Sequence, residues 1–154
     1  MSLKKLLDIR EKRKEKVFLE LSIANDTVVA REENLQKAKE TLVFYREWRV
    51  KKQKSLFDDL TSQQFKPKEY EKYLAKLTKI DVQENYYSEQ LKAAEPLLQA
   101  AKNEYQQIKT KSLSVVRELE KLTEILKGTE ENEKVLLLKK EESEAEEFMP
   151  INKF

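Results

Sequence analysis

Carboxylates and amines are the side chains most able to do chemistry in this sequence. The chain has 29 Asp and Glu and 31 Lys and Arg, but no histidine and no cysteine. Catalysis by His, a Cys nucleophile, disulfides and Cys/His metal sites are therefore excluded. A single glycine rules out the glycine-rich loops that hold phosphates, and neither HExxH nor GxSxG occurs. The Glu residues recur beside Lys at helical spacing, which is typical of solvated pairs. We therefore expect no enzyme, no bound metal and no cofactor.

A basic stretch near the middle of the chain raises the question of nucleic-acid binding. Residues 46–54 contain five basic residues and one acid, with Tyr45 and Trp48 beside or among them. Such a mixture can contact phosphates and stack on bases. The net charge is only +2, however, and nucleic-acid binders usually have a stronger basic footprint. Nucleic acid is therefore not an expected partner.

The basic N-terminal stretch, residues 4–16, is able to touch anionic lipid. No apolar run approaches the roughly 20 residues that span a bilayer, so we expect no membrane insertion. The N-terminus is charged too early to contain the apolar core of a signal peptide. These features favour a soluble, cytoplasmic protein.

Heptad periodicity identifies the elements that position these side chains. One Gly and three Pro are too few for many turns, so the chain must form a few long elements. Apolar residues recur at alternating three- and four-residue steps, and we call these core-facing heptad positions the seam. From Val17 to Tyr45, eight of nine seam positions are apolar, and a second pattern runs from Leu77 to Leu126. The sequence therefore predicts an all-α fold, a long two-helix antiparallel coiled-coil hairpin with a C-terminal helical extension.

The helix ends follow from turn and cap residues. Thr61 and Ser62 favour a turn, and Pro67 suits a first helical position. We predict helix 1 at about 3–60, a turn at about 61–66 and helix 2 at about 67–127. Facing residues should then have numbers that add up to about 129. This register places Leu35 opposite Ala94, so that a large side chain meets a small one.

Two residues interrupt the pattern of the second helix. Pro96 predicts a kink or a bulge, close to the seam residue Arg31, which must snorkel or pair with Glu95. A register-fixing polar layer and a functional hinge both remain open there.

Gly128 either ends helix 2, with a separate helix after it, or lies in a kinked continuous helix. Residues 129–154 form an acidic extension with eight Glu and four Lys. Within this extension, the apolar run 135–138 has no evident partner in the chain.

Aromatic residues mark a candidate partner-binding site. They crowd the predicted hairpin tip, where they either cap the tip or anchor a partner protein. The candidate residues at the tip are Tyr45, Trp48, Arg49, Phe57, Phe65 and Tyr70.

Two short segments resemble the YscO family of type III secretion proteins. They are YREWRV at residues 45–50 and LFD at residues 56–58, which are similar to the family's Y-x-x-W-R and L/F-F-D segments. The acidic C-terminal stretch Glu146-Glu147-Phe148 also looks like that family's tail, and the hairpin layout agrees along the chain. The YscO family is in turn similar to flagellar FliJ and to the coiled coil of the rotary-ATPase γ subunit.

The resemblance implies a non-enzymatic component of a bacterial type III secretion complex. Its implied partners are the hexameric export ATPase, the export-gate membrane protein and secretion chaperones. The terminal end would contact the ATPase, and its candidate residues are Lys5, Arg10, Arg13 and Lys14. The tip would face the gate or a chaperone. The implied location is the bacterial cytoplasm, peripheral to the inner-membrane apparatus. A chaperone-binding escort without a stalk role, or a generic scaffold coiled coil, are the alternatives.

Overall fold

A computed structural model describes residues 2–148 of the chain, and for residues 146–148 the backbone alone. The sequence 149–154, and the side chains of the tail compared above with the YscO family, lie outside the described part. Two helices make up the described chain: α1, Leu3–Thr61, and α2, Pro67–Phe148. The predicted all-α fold of two long helices is therefore confirmed.

Local hydrogen bonds explain the two ends of α1, and a proline explains the start of α2. The Ser2 hydroxyl accepts a hydrogen bond from the Lys5 N–H at 3.2 Å, so Ser2 is the N-cap of α1. At the other end, the hydroxyls of Thr61 and Ser62 donate to the Phe57 and Asp59 carbonyls at 2.8 and 2.9 Å. These bonds satisfy carbonyls that the last turn leaves without partners. Pro67 begins α2, where its missing N–H costs nothing.

The second helix passes through both residues expected to interrupt it. Gly128 does not end the helix, because α2 continues to Phe148 and no glycine has a positive φ. Of the two options for Gly128, the structure therefore shows the continuous helix. Pro96 also lies inside the unbroken helix. The residues before and after Gly128 are mostly Lys, Glu and Leu, which favour helix and outweigh one glycine.

Contacts divide the chain into two compact units. The first unit combines Met1–Leu21 with Ile108–Phe154, and the second comprises Ser22–Gln107. In the first unit, a Lys111–Glu20 ion pair at 3.5 Å and an Arg10–Glu118 hydrogen bond at 3.1 Å join the helices. Higher numbers on α1 meet lower numbers on α2, so the helices are antiparallel there.

The core of the first unit is a narrow apolar line. It is formed by Val17, Val115, Leu119 and Leu122, with Ser112 also buried. Each of these residues lies on a predicted seam position. Beyond the stretch that faces α1, residues 130–145 are exposed without exception. We call residues 129–148 the C-terminal segment.

The second unit is a hairpin around the turn at residues 62–66. Its buried apolar residues also lie on the seam and are Ala24, Leu42, Leu56, Ile80, Leu98 and Ala101. The facing pairs Arg46–Glu84 and Arg49–Asp81 have numbers that add up to 130, one away from the predicted register. The pairing of Leu35 with Ala94 remains a prediction.

Candidate functional site

A polar layer crosses the core of the second unit. It is formed by Arg46, Arg49, Asp81 and Glu84. Arg46 Nε donates to Glu84 Oε1 at 2.9 Å, and the Arg49 guanidinium donates to both Glu84 and Asp81. The side chains of Arg49 and Glu84 are only 23% and 19% exposed, so this pairing is largely shielded from water.

Pairing shifts the ionisation of the residues in this layer. Hydrogen bonds from Arg46 and then Arg49 hold the pKa of Glu84 below its ordinary value, against the opposing effect of burial. Burial alone would lower the pKa of Arg49, but its hydrogen bonds to Glu84 and Asp81 raise it instead. Both groups are therefore held in their charged forms by each other.

Arg49 consequently has a different role from the one its sequence position indicated. It was a candidate for binding a partner at the tip, but its guanidinium is used within the fold. Its partners are on the facing helix, one helical turn apart. Arg31, the other cation on the α1 seam in this unit, makes no hydrogen bond or ion pair with any described residue. It is half-buried and lines a groove with Ala94 and Leu97, so the expected pairing with Glu95 is absent.

The aromatic residues of the second unit form two clusters instead of one. The Tyr45 ring lies 5.2 Å from Trp48 and 5.1 Å from Tyr87, and Tyr87 is 5.8 Å from Tyr86. A separate cluster at the turn joins Phe65 to Tyr70 at 6.0 Å and Tyr70 to Tyr73 at 6.3 Å. Phe57 belongs to neither cluster and is 52% exposed.

The first cluster opens onto a groove of about 240 Å³, which we call the aromatic groove. It is lined by Thr41, Phe44, Tyr45, Trp48 and Tyr87. Tyr45 is fixed by a hydrogen bond from its hydroxyl to the Ile80 carbonyl at 3.2 Å. Burial is the main cause that raises the pKa of Tyr45, and the nearby Tyr87 is the second. The Tyr45 hydroxyl therefore stays a neutral donor. Phe44 and Trp48 remain 72% and 40% exposed, so apolar surface is available for contact.

The predicted basic residues of the first unit are mostly engaged with the fold. Arg10 Nη1 donates to the Glu118 carbonyl, and Arg13 lies 4.0 Å from the Glu118 carboxylate. Lys14 Nζ lies 5.5 Å above the centre of the Phe18 ring, a cation–π contact. Lys5 is exposed, and its side chain makes no contact of these kinds with the described residues.

Sequence reasoning missed a groove in the first unit, which we call the basic groove. It has a volume of about 370 Å³ and is lined by Ile9, Lys12, Arg13, Lys16, Val17, Glu20 and Lys111. Four of the seven lining residues are cations, and one is an acid. Ile9, Lys12 and Lys16 recur at three- and four-residue steps, and this spacing could have revealed a shared face.

The described part of the chain contains no group of three acidic residues placed to hold a metal ion. It also contains no helix that is long and apolar enough to cross a membrane. The exposed features are grooves between paired helices and one unpaired helical segment. These features define a two-helix coiled-coil protein with surfaces suited to contacts with other proteins.

Comparison with known proteins identifies the family. Residues 3–150 match the family described as Type III secretion protein YscO. The chain therefore belongs to the YscO family and is a component of a type III secretion system. Its fold is similar to that of the type III secretion protein YscO from Vibrio parahaemolyticus, whose crystal structure was determined at 2.8 Å. That match has a TM-score of 0.84 at 20% identity and covers 96% of this chain and 92% of that one. No curated protein matches the sequence.

Proposed function

We propose that this chain is a non-enzymatic stalk and escort component of a bacterial export ATPase complex. In this role it couples the ATPase to the export gate and engages secretion chaperones. The observation that carries the proposal is membership of the YscO family over residues 3–150. Contacts with components of the secretion apparatus follow from that membership, and the particular partners are our inference.

The first unit supplies the surface proposed to contact the ATPase. Lys5, Arg10, Arg13 and Lys14 lie on one short stretch of α1, and the C-terminal segment extends beyond that stretch. Because Arg10 and Arg13 also hold α2, we assign them a mixed role in folding and contact. Lys5 is the most available of the four cations for a partner carboxylate.

The second unit supplies the surface proposed to contact the gate or a chaperone. Exposed aromatic side chains are common anchors of protein interfaces, and Phe44 and Trp48 are both exposed in the aromatic groove. Phe65 and Tyr70 form a second exposed pair at the turn. Arg49 supports this surface indirectly, because it pairs with the facing helix beneath it.

The polar groups near the core of the second unit are used within the fold. Arg49 and Glu84 pair with each other, and the Tyr45 hydroxyl donates to the Ile80 carbonyl. We therefore assign these groups to stability. We place the protein in the bacterial cytoplasm, peripheral to the inner membrane, since the proposed ATPase and gate meet there.

Purified chain mixed with its cognate export ATPase tests the stalk role. We expect faster ATP hydrolysis or more hexamer in the presence of the chain. Lys5→Glu/Lys14→Glu should weaken the effect, because it reverses charge on the proposed contact surface. The matched control is Lys37→Glu/Lys39→Glu, which makes the same charge change at exposed positions of the second unit. A wild-type chain without any effect on the ATPase would contradict the stalk role.

The runner-up function is a chaperone-binding escort without a stalk role. The aromatic groove favours it, because an apolar groove fits a side chain of a bound protein. Tight binding of a secretion chaperone with no effect on ATP hydrolysis would support this alternative. Failure of both assays would leave a scaffold coiled coil.

A further inference from the structure

The C-terminal segment is a helix without a packing partner in the described chain. Residues 130–145 are all exposed, and Val135, Leu136, Leu137 and Leu138 are 48–64% exposed. Most helical stability in proteins comes from packing an apolar face. A run of four apolar residues on such a helix therefore calls for a surface that covers it.

The first unit itself offers a surface of complementary charge. Residues 1–16 carry seven basic and three acidic residues, a net charge of +4, whereas residues 129–154 carry four basic and eight acidic residues, a net charge of −4. The basic groove places Ile9 and Val17 between Lys12, Lys16 and Lys111. An acidic helix with a central apolar run fits that combination of apolar floor and cationic rim.

The segment is unable to reach the groove of its own chain. Arg10 contacts Glu118, so in the antiparallel pair Leu3 lies near residue 125 of α2. Residues beyond that point extend away from α1, and Val135 lies about 24 Å along the helix from the level of Ile9. The segment can therefore reach such a groove only on another molecule.

We propose that two copies of this chain form a reciprocal dimer through their first units. The C-terminal segment of each copy lies in the basic groove of the other and runs parallel to the other copy's α1. The segment of 20 residues is about 30 Å long, and the facing stretch 3–21 is about 28 Å long. This alignment places Val135 beside Ile9, and Glu142 beside Lys16. The contact is the same in both directions, which closes the assembly at two copies.

This inference goes beyond the proposed function, because it concerns contacts between identical chains, although Arg13 belongs to both proposed surfaces. Sedimentation equilibrium of the purified full chain tests it first. We expect a species of twice 18.3 kDa whose dissociation constant rises about tenfold or more between low and high salt. A monomer at all concentrations up to about 200 μM, well above the micromolar affinity of a modest interface, would overturn the proposal.

A charge-swap experiment tests the particular contact. Lys12→Glu/Lys16→Glu makes the groove acidic, and Glu141→Lys/Glu142→Lys reverses the charge of the part of the segment that faces Lys16. Each variant alone should be monomeric, because like charges then meet. An equimolar mixture should dimerise again as a heterodimer, since in one interface the wild-type segment meets the wild-type groove and in the other the two charge-reversed surfaces meet with opposite charge. Dimers that persist in each single variant, or a mixture that stays monomeric, would overturn the proposal.

Single cysteines provide a test that does not depend on charge reversal, because the chain has no cysteine of its own. Ile9→Cys mixed with Val135→Cys should give a disulfide-linked dimer under mild oxidation. The control is Leu113→Cys mixed with Val135→Cys, since Leu113 is exposed in the same unit but lies about 10 Å from Val135 along the dimer axis. Equal cross-linking of both mixtures, or none in the first, would contradict the proposed alignment.

Discussion

Arg49 and Glu84 meet across the two helices of the second unit, and each is more than three-quarters covered. Glu84 also accepts from Arg46, and Arg49 also donates to Asp81. In this alignment of the helices, a shielded carboxylate in a mostly apolar seam has two guanidinium partners. Shifted alignments would fit that carboxylate far less well. We interpret the polar layer as the device that fixes the register of this unit.

The first prediction concerns removal of one member of this pair. Glu84→Gln should lower the free energy of unfolding by about 1–3 kcal/mol, because Arg49 then keeps a covered charge without its main partner. Urea unfolding monitored by circular dichroism measures the loss. The control is Glu89→Gln, which breaks an exposed pair with Lys92 and should cost less than about 0.5 kcal/mol. Equal losses in both variants would refute a special role for Glu84.

The second prediction is a pH dependence that originates at Glu84. Its pKa is lowered in the folded chain, first by Arg46 and then by Arg49, from an ordinary value of 4.5. Folding therefore favours the ionised form, and this stabilisation is present above about pH 4.5. It is lost as the pH falls from there through the folded-state pKa.

Urea unfolding at pH 7 and at pH 3 measures this effect. The wild-type chain should lose more stability between the two values than Glu84→Gln, which has no proton to take up at this position. Identical losses would show that other carboxylates dominate acid unfolding.

The third prediction concerns Gly128. Because it lies within α2 and a Cβ added there meets nothing within 4 Å, Gly128→Ala should stabilise the local helix by about 0.5–1 kcal/mol. Amide hydrogen exchange around residues 124–135 should slow about two- to fivefold. Gly128→Pro should accelerate the same exchange, since proline breaks a helix interior. Faster exchange in the alanine variant would instead indicate a helix end at Gly128.

The fourth prediction concerns Trp48, which lines the aromatic groove and is 40% exposed. Trp48→Ala should reduce secretion while leaving helicity nearly intact, because the change removes contact surface and no seam residue. Val43→Ala is the control, since Val43 is 55% exposed and lies outside the groove. A drop in Tm of more than about 4 °C in Trp48→Ala would place this residue in the core and remove it as an interface candidate.

Heptad periodicity predicted the core because the core of a helix pair depends mainly on sequence spacing. Val17 in the first unit and Leu42 in the second are buried where the seam placed them. Pro67 marked the start of α2 because proline is accommodated best at the first position of a helix. The pairing of Arg49 was foreseeable in part, because Arg49 and Glu84 both occupy seam positions that face each other within about one turn.

Gly128 and the aromatic residues were harder to predict for physical reasons. A glycine ends a helix only where the following chain adopts the cap, and strong helix formers follow Gly128. The division of the aromatic residues into two clusters depends on side-chain rotamers and on which helix faces meet. Heptad spacing gives the faces but not the rotamers, so Tyr45 and Phe65 were assigned to one surface.

The first unit is built from the two ends of the chain, and this has a consequence for biosynthesis. Arg10 and its partner Glu118 are 108 residues apart, whereas Tyr45 and its partner Ile80 are 35 apart. Closing the longer loop costs about 1 kcal/mol more in chain entropy, so the contacts of the first unit should be the last to form and the first to open. A ribosome must also pass Ile108 before residues 3–21 have anything to pack against. Chains truncated before Lys111 therefore lack the basic groove, and a growing chain becomes able to join an assembly through it only after this part of α2 has been made.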